Sequence, residues 1–105
     1  MQTIVIVLDP SRLQNPDLDL RYLVPDRIEE YSQGRMLDNG YDYLEEGDAL
    51  RIWMETPSAQ ESYPLIIELF RQERFLENDL SQSAEIYISE KDADELKNCR
   101  KVFPE

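Results

Sequence analysis

The chain has 105 residues, and 41% of them are hydrophobic, which suffices for one domain with a packed core and argues against disorder. Its 23 acidic and 11 basic residues give a net charge of −12, which disfavours nucleic acid and anionic membranes as partners and predicts a positively charged one. The single cysteine, Cys99, excludes an internal disulfide framework and fits a reducing compartment. The apolar run Ile4 to Leu8 is too short for a signal peptide or a membrane span, so we expect a cytoplasmic protein.

The first predicted element is a strand. Thr3 to Leu8 is β-branched and apolar almost throughout, which is typical of a strand that is buried on both faces at the centre of a sheet. Asp9-Pro10 ends this strand, because proline cannot donate a hydrogen bond to a neighbouring strand. A loop follows from Ser11 to Asp17.

A helical region is predicted from Leu18 to Gln33, where apolar residues recur at three- and four-residue spacing. Pro25 falls inside this region. Two alternatives are therefore open: a kinked helix, or a short turn followed by a helix that starts at Pro25. Gly34 is a suitable C-terminal stop, since glycine tolerates a positive φ.

A hairpin from Tyr41 to Glu55 is the central feature of the sequence. Residues alternate between two faces along both arms, which is typical of strands, and Gly47 supplies the turn between them. Before the hairpin, Asn39-Gly40 allows either a tight turn of its own or a bulge at the start of the second strand. We favour the bulge, because the segment that would pair across a separate turn is very short.

The second half of the chain is predicted to contain a helix, a strand and a final helix. Ser58 or Ser62 caps a helix that covers Leu65 to Leu76. Ala84 to Ser89 reads as the fourth strand, and Ser89 is positioned to cap a C-terminal helix.

The resulting order predicts a single α+β domain over residues 1–105, with the arrangement βαββαβ followed by a C-terminal helix. This is the order of the ferredoxin-like sandwich, in which two helices cover one face of a four-stranded antiparallel sheet and the first and third strands are central. A different pairing of the same elements is the alternative.

The residues offer no recognisable catalytic or metal-binding motif. There is no histidine and only one cysteine, which removes the commonest general base and the usual zinc ligands. The three glycines do not form a phosphate-binding loop, and the aspartates do not match a calcium-loop spacing. Cys99 is expected on the apolar side of the last helix as a packed, inert thiol. We therefore expect a protein that is not an enzyme and that has no cofactor or metal.

Two interpretations of the hairpin surface are open. In the first, Leu44, Leu50, Ile52 and Met54 fill the core while the aromatic residues form ordinary cross-strand pairs. In the second, an aromatic surface with an arginine forms a protein contact, because such residues commonly anchor interfaces. The candidates for this outer face are Tyr41, Tyr43, Arg51 and Trp53.

Acidic residues adjoin these aromatic residues, since the segment between Met36 and Leu50 contains five acids and no base. Carboxylates beside aromatic side chains suit a basic protein partner, because the charges speed association and the aromatics hold the complex. A second acidic run, Glu90 to Glu95, is relieved only by Lys91. The predicted partner-binding residues are Asp38, Tyr41, Asp42, Tyr43, Glu45, Glu46, Asp48 and Trp53.

The segment Asp38-Asn39-Gly40-Tyr41-Asp42-Tyr43-Leu44, with the small size, the α+β pattern and the acidity of the whole chain, resembles the small acidic immunity proteins that bacteria make against their own toxins. Such proteins bind a toxin domain tightly and block its active site or a nearby surface, and many of these toxins are basic nucleases. The resemblance implies a stoichiometric inhibitor of a secreted toxin domain, with the acidic hairpin as its contact.

Three other classes of function are open. A structural module would self-associate through an exposed aromatic sheet face. A nucleic-acid mimic would present carboxylates in a regular extended row. A small-molecule regulatory domain would need a pocket with convergent polar groups.

Overall fold

The computed structural model of the protein describes residues 1–43 and 49–104. Within these ranges the chain forms five strands and three α-helices. In chain order the elements are β1 (Gln2–Leu8), α1 (Leu20–Tyr31), β2 (Leu37–Tyr43), β3 (Leu50–Thr56), α2 (Ala59–Gln72), α3 (Leu80–Ser83), β4 (Ala84–Ser89) and β5 (Arg100–Phe103). Two 3₁₀ turns, Pro10–Arg12 and Leu96–Asn98, lie between them.

The strands form one antiparallel sheet in the order β2-β3-β1-β4-β5. The predicted α+β class is confirmed, and so is the central place of the first strand, whose residues from Thr3 to Leu8 are all buried. The two strands of the predicted hairpin pair as expected, with a register shift between Asp38 and Tyr41 that confirms the bulge. The predicted turn at Gly47 lies outside the described residues.

The predicted four-stranded sheet and C-terminal helix are wrong, because residues 100–103 form a fifth strand. The segment after Ser89 has too few apolar residues to bury one face of a helix, since Ala93 is the only one before Leu96. Phe103 pairs with Ile86 on β4 and enters the core, so the end of the chain stabilises the sheet instead.

Helix α1 begins at Leu20, so the alternative of a helix that starts at Pro25 is wrong. Pro25 lies inside the helix and is buried, so its packing offsets the backbone hydrogen bond that proline cannot make. At the C-terminus, Gln33 has a φ of 55° and the Gly34 N–H donates to the Glu29 carbonyl oxygen at 2.9 Å. These bonds cap the last carbonyls of the helix, near the glycine that the sequence indicated.

Helix α2 begins earlier than predicted, and Ser58 caps it by accepting a hydrogen bond from the Glu61 N–H at 3.3 Å. Ser62, the alternative cap, is buried in the helix, where its hydroxyl is hydrogen bonded to that of Thr56 at 2.8 Å. The second proline of the helices, Pro64, lies inside α2.

The main core lies between the helices and one face of the sheet, and it includes Leu50, Ile52 and Met54, as in the first of the two interpretations of the hairpin. On the other face, which we call the outer face, a smaller apolar cluster contains Val5 and Val7 of β1 with Trp53 of β3. No helix in the described ranges is both long and apolar enough to cross a membrane.

Candidate protein-binding surface

Strand β2 lies at one edge of the sheet, and its pairing with β3 decides where its side chains point. Tyr41 pairs with Ile52, and Tyr43 pairs with Leu50. Directly opposed residues of an antiparallel pair share a face. The two tyrosines therefore lie on the helix-covered side of the sheet, opposite to Trp53, and the prediction that grouped them with Trp53 on the outer face is wrong.

Three exposed tyrosines meet where β2 passes α1, and we call them the tyrosine cluster. The ring centroids of Tyr22 and Tyr41 are 5.9 Å apart, those of Tyr41 and Tyr43 are 6.1 Å apart, and both pairs are edge-to-face. The exposed fractions are 50% for Tyr22, 39% for Tyr41 and 41% for Tyr43. Large aromatic side chains that are ordered by each other and still exposed are suited to bind a protein partner.

Arg21 holds the tyrosine cluster together. Its guanidinium carbon lies 4.7 Å from the ring centre of Tyr22 and 5.4 Å from that of Tyr41. The Tyr43 hydroxyl is the main cause that raises the pKa of Arg21. The pKa of Tyr22 is lowered, mainly by its contact with the Tyr41 hydroxyl and next by Arg21. The contact between the two hydroxyls raises the pKa of Tyr41. The edge-to-face ring contacts and the position of Arg21 over two of the rings therefore order the cluster.

Carboxylates flank the tyrosine cluster on α1. Asp19, Asp26 and Glu29 follow the same helical stripe as Tyr22, because they lie three or four residues from one another along the chain. Glu29 also fixes α1 to the edge strand, since its Oε1 accepts a hydrogen bond from the Asp38 N–H at 2.7 Å. The surface that surrounds the tyrosines is therefore predominantly acidic, as a basic partner requires.

A separate network occupies the outer face of the same hairpin. The Asp42 carboxylate accepts two hydrogen bonds from Arg51, at 2.8 Å and 2.6 Å, and a third at 3.0 Å from the Trp53 indole N–H. Trp53 is only 7% exposed and packs on Val5 and Val7. These contacts of Asp42 and Trp53 stabilise the sheet. The negative charge of the Asp42 carboxylate is balanced by Arg51 within the chain.

We expect the Asp42–Arg51 pair to contribute a coupling energy of about 1 kcal/mol, because its geometry is bidentate but one partner is near solvent. Urea unfolding of Asp42→Ala, Arg51→Ala and the double variant measures this quantity. Additive losses of unfolding free energy would show that the two side chains do not stabilise each other.

Residues 90–99, which we call the C-terminal strap, cross the outer face. The Thr3 hydroxyl donates to the Lys91 carbonyl oxygen and accepts from the Ala93 N–H, both at 2.9 Å. Leu96 and Cys99 pack against the outer-face cluster. Burial raises the pKa of the Cys99 thiol, which disfavours the reactive thiolate. The second acidic run is therefore part of a segment that covers the sheet.

The predicted contact residues fall into four groups. The two tyrosines of β2 lie together in the tyrosine cluster. Asp42 and Trp53 are hydrogen bonded to each other on the outer face. Asp38 lies in the bulge, where its Oδ1 accepts from the Gly40 N–H at 2.9 Å. The remaining predicted residues lie outside the described part of the chain: Glu45, Glu46 and Asp48.

Sequence reasoning missed Tyr22 and Arg21. Tyr22 does not belong to the buried stripe of α1, which is formed by Leu20, Val24 and Ile28. A large aromatic residue off the apolar stripe of a helix was the signal that could have indicated an exposed contact.

The comparisons add no known relative to this surface. No protein-family model matches the chain, and searches of curated proteins and of solved structures gave no significant match. Among the residues with described positions, no three His, Cys, Asp or Glu side chains come together as a metal site would require.

Proposed function

We propose that the protein is a non-catalytic binding module that inhibits a basic partner protein, as an immunity protein inhibits its toxin. The tyrosine cluster is the observation that carries this proposal. Arg21 lies over two of its three rings, each ring is more than one-third exposed, and carboxylates of α1 flank the cluster. Aromatic anchors within a charged surround are typical of protein interfaces.

Charge supports the choice of a basic partner. The net charge of −12 raises the association rate with a positively charged protein and opposes close approach of a second copy. Asp42 is balanced by Arg51, so the local attraction at the tyrosine cluster is assigned to the carboxylates that flank Tyr22 on α1.

We infer further that the architecture is a ferredoxin-like sandwich extended by β5. The order strand, helix, strand, strand, helix, strand and the neighbouring positions of β1 and β3 support this inference. A cytoplasmic location is part of the proposal, because a lone thiol suits a reducing compartment.

The test uses the tagged protein to capture its partner from the organism that encodes it, followed by calorimetry with the purified partner. We expect the variant with Tyr22→Ser and Tyr41→Ser to bind at least about 30-fold more weakly, since two hot-spot side chains are truncated. Its unfolding midpoint should change little, because both side chains are exposed.

Tyr63→Ser is the control for affinity, because this tyrosine lies on α2 and lines a different groove; it packs partly against the main core, so its stability is measured separately. Equal affinity for the double variant and the control would remove the tyrosine cluster from the interface. A discrete homo-oligomer that disappears in the double variant, with no captured partner, would instead support the structural-module alternative.

A further inference from the structure

A cavity of about 500 Å³ opens at the end of the sheet beside the tyrosine cluster. Its floor is formed by Leu8 at the end of β1, Leu20 at the start of α1 and Leu50 at the start of β3, all of which are buried. The volume lies within the range of small-molecule sites, so the cavity has room for a large side chain.

The loop between β1 and α1 forms a wall of this cavity and is held in place by part-buried hydrogen bonds. Leu13 lines the cavity, and two residues later Asn15 exchanges two hydrogen bonds with the buried side chain of Asn78. The Asn15 N–H donates to Asn78 Oδ1 at 2.8 Å, and Asn78 Nδ2 donates to the Asn15 carbonyl oxygen at 2.7 Å. The cavity is therefore preformed, which lowers the entropic cost of filling it.

The rim connects the cavity to the tyrosine cluster and carries acidic charge. Tyr43 belongs to both, and Leu18, which is 61% exposed, stands beside Asp17 at the opening. Asp17 is the only charged residue among the described residues of the lining. Its Oδ1 already accepts a hydrogen bond from the Asp19 N–H at 2.9 Å. A small-molecule site would show several convergent polar groups, so this lining suits an apolar side chain better.

We propose that the cavity is an anchor pocket, in which one large apolar side chain of the basic partner is buried while an adjacent Lys or Arg of the partner pairs with Asp17. The inference rests on the proposed function and names the kind of residue that the partner presents. Because Tyr43 belongs to both, the cavity and the tyrosine cluster form one contact surface. Interface anchors that fill pockets commonly carry most of the binding energy.

The first experiment needs no partner, because two blocked dipeptides serve as probes: N-acetyl-Trp-Arg-amide and N-acetyl-Trp-Glu-amide. Methyl NMR of the intact protein should show that Trp-Arg shifts the signals of Leu8, Leu18 and Leu50. We expect it to bind about threefold more tightly than Trp-Glu, which is the effect of one exposed ion pair. Equal affinities of the two probes, or unchanged methyl signals, would overturn the proposal.

The second experiment measures the captured partner against Leu18→Lys, which adds a positive charge at the rim. We expect affinity to fall at least about tenfold, as for a charged residue at a desolvated contact. Leu23→Lys is the matched control, since Leu23 is an exposed leucine of α1 that does not line the cavity.

The outcomes separate the two proposals. One outcome is that the tyrosine double variant loses partner binding while Leu18→Lys binds normally. This outcome overturns the anchor pocket and leaves the proposed function intact. Loss with Leu18→Lys alone supports the anchor pocket and removes Tyr22 and Tyr41 from the interface.

Discussion

Replacing Trp53 by alanine is expected to lower the free energy of unfolding by about 3 kcal/mol, the low end for truncation of a buried aromatic side chain. The sequence placed this residue among the candidate contacts, but its ring is buried against Val5 and Val7 on the outer face. The substitution would open a cavity beneath the C-terminal strap. It would also leave Asp42 without the indole donor.

Chemical denaturation of the purified protein measures this loss, and Trp53→Phe is the control. Phenylalanine keeps much of the apolar contact but removes the N–H, so it should cost about 1 kcal/mol, the usual net value of one hydrogen bond. A midpoint for Trp53→Ala equal to that of the parent protein would mean that the outer-face cluster contributes nothing to stability.

Asn78→Ala is the second change with a large expected effect, again about 3 kcal/mol of unfolding free energy. Asn78 is 1% exposed, and its amide holds together the loop before α1 and the turn after α2. Without it, the N–H and carbonyl oxygen of Asn15 lose their partners in a part-buried site, and each unmade bond costs about 1–3 kcal/mol.

Asn98→Ala is the matched control for this prediction, because Asn98 is exposed in a 3₁₀ turn. It should be nearly neutral. Hydrogen exchange gives a second measurement: the amide of Asn15 should lose protection in Asn78→Ala. Unchanged protection together with unchanged stability would show that the loop is ordered by other contacts.

The continuous apolar run of β1 predicted a central strand, and the alternation along β3 predicted a strand with two different faces. Burial of Leu50, Ile52 and Met54 was one of the two interpretations of this pattern, and the structure places all three in the core. The bulge was also predictable, since Asn39-Gly40 tolerates a positive φ and the φ of Gly40 is 95°.

The faces of the β2 tyrosines depend on long-range pairing, and local patterning does not contain that information. From the alternation along β2 alone, both tyrosines were candidates for the outer face. They are exposed because β2 is an edge strand, although they point toward the helix side. The contact with Tyr22 joins residues nineteen positions apart in the chain, so the candidate site became visible only in three dimensions.

The prolines and the C-terminus were misjudged for a different reason. Tertiary packing overrides local preference: Pro25 remains in a helix because the helix side that carries it is buried. At the C-terminus, pairing with β4 and burial of Phe103 outweigh the helical interpretation of the preceding polar segment.

The bulge in β2 has a consequence for solubility. Strands β2 and β5 form the two edges of the sheet, and an open edge strand can pair with a strand of another molecule and start edge-to-edge polymerisation. The N–H groups of Asp38 and Gly40 are already occupied by carboxylates within the chain. An incoming strand therefore meets an interrupted ladder at this edge, and polymerisation is opposed by the local backbone geometry.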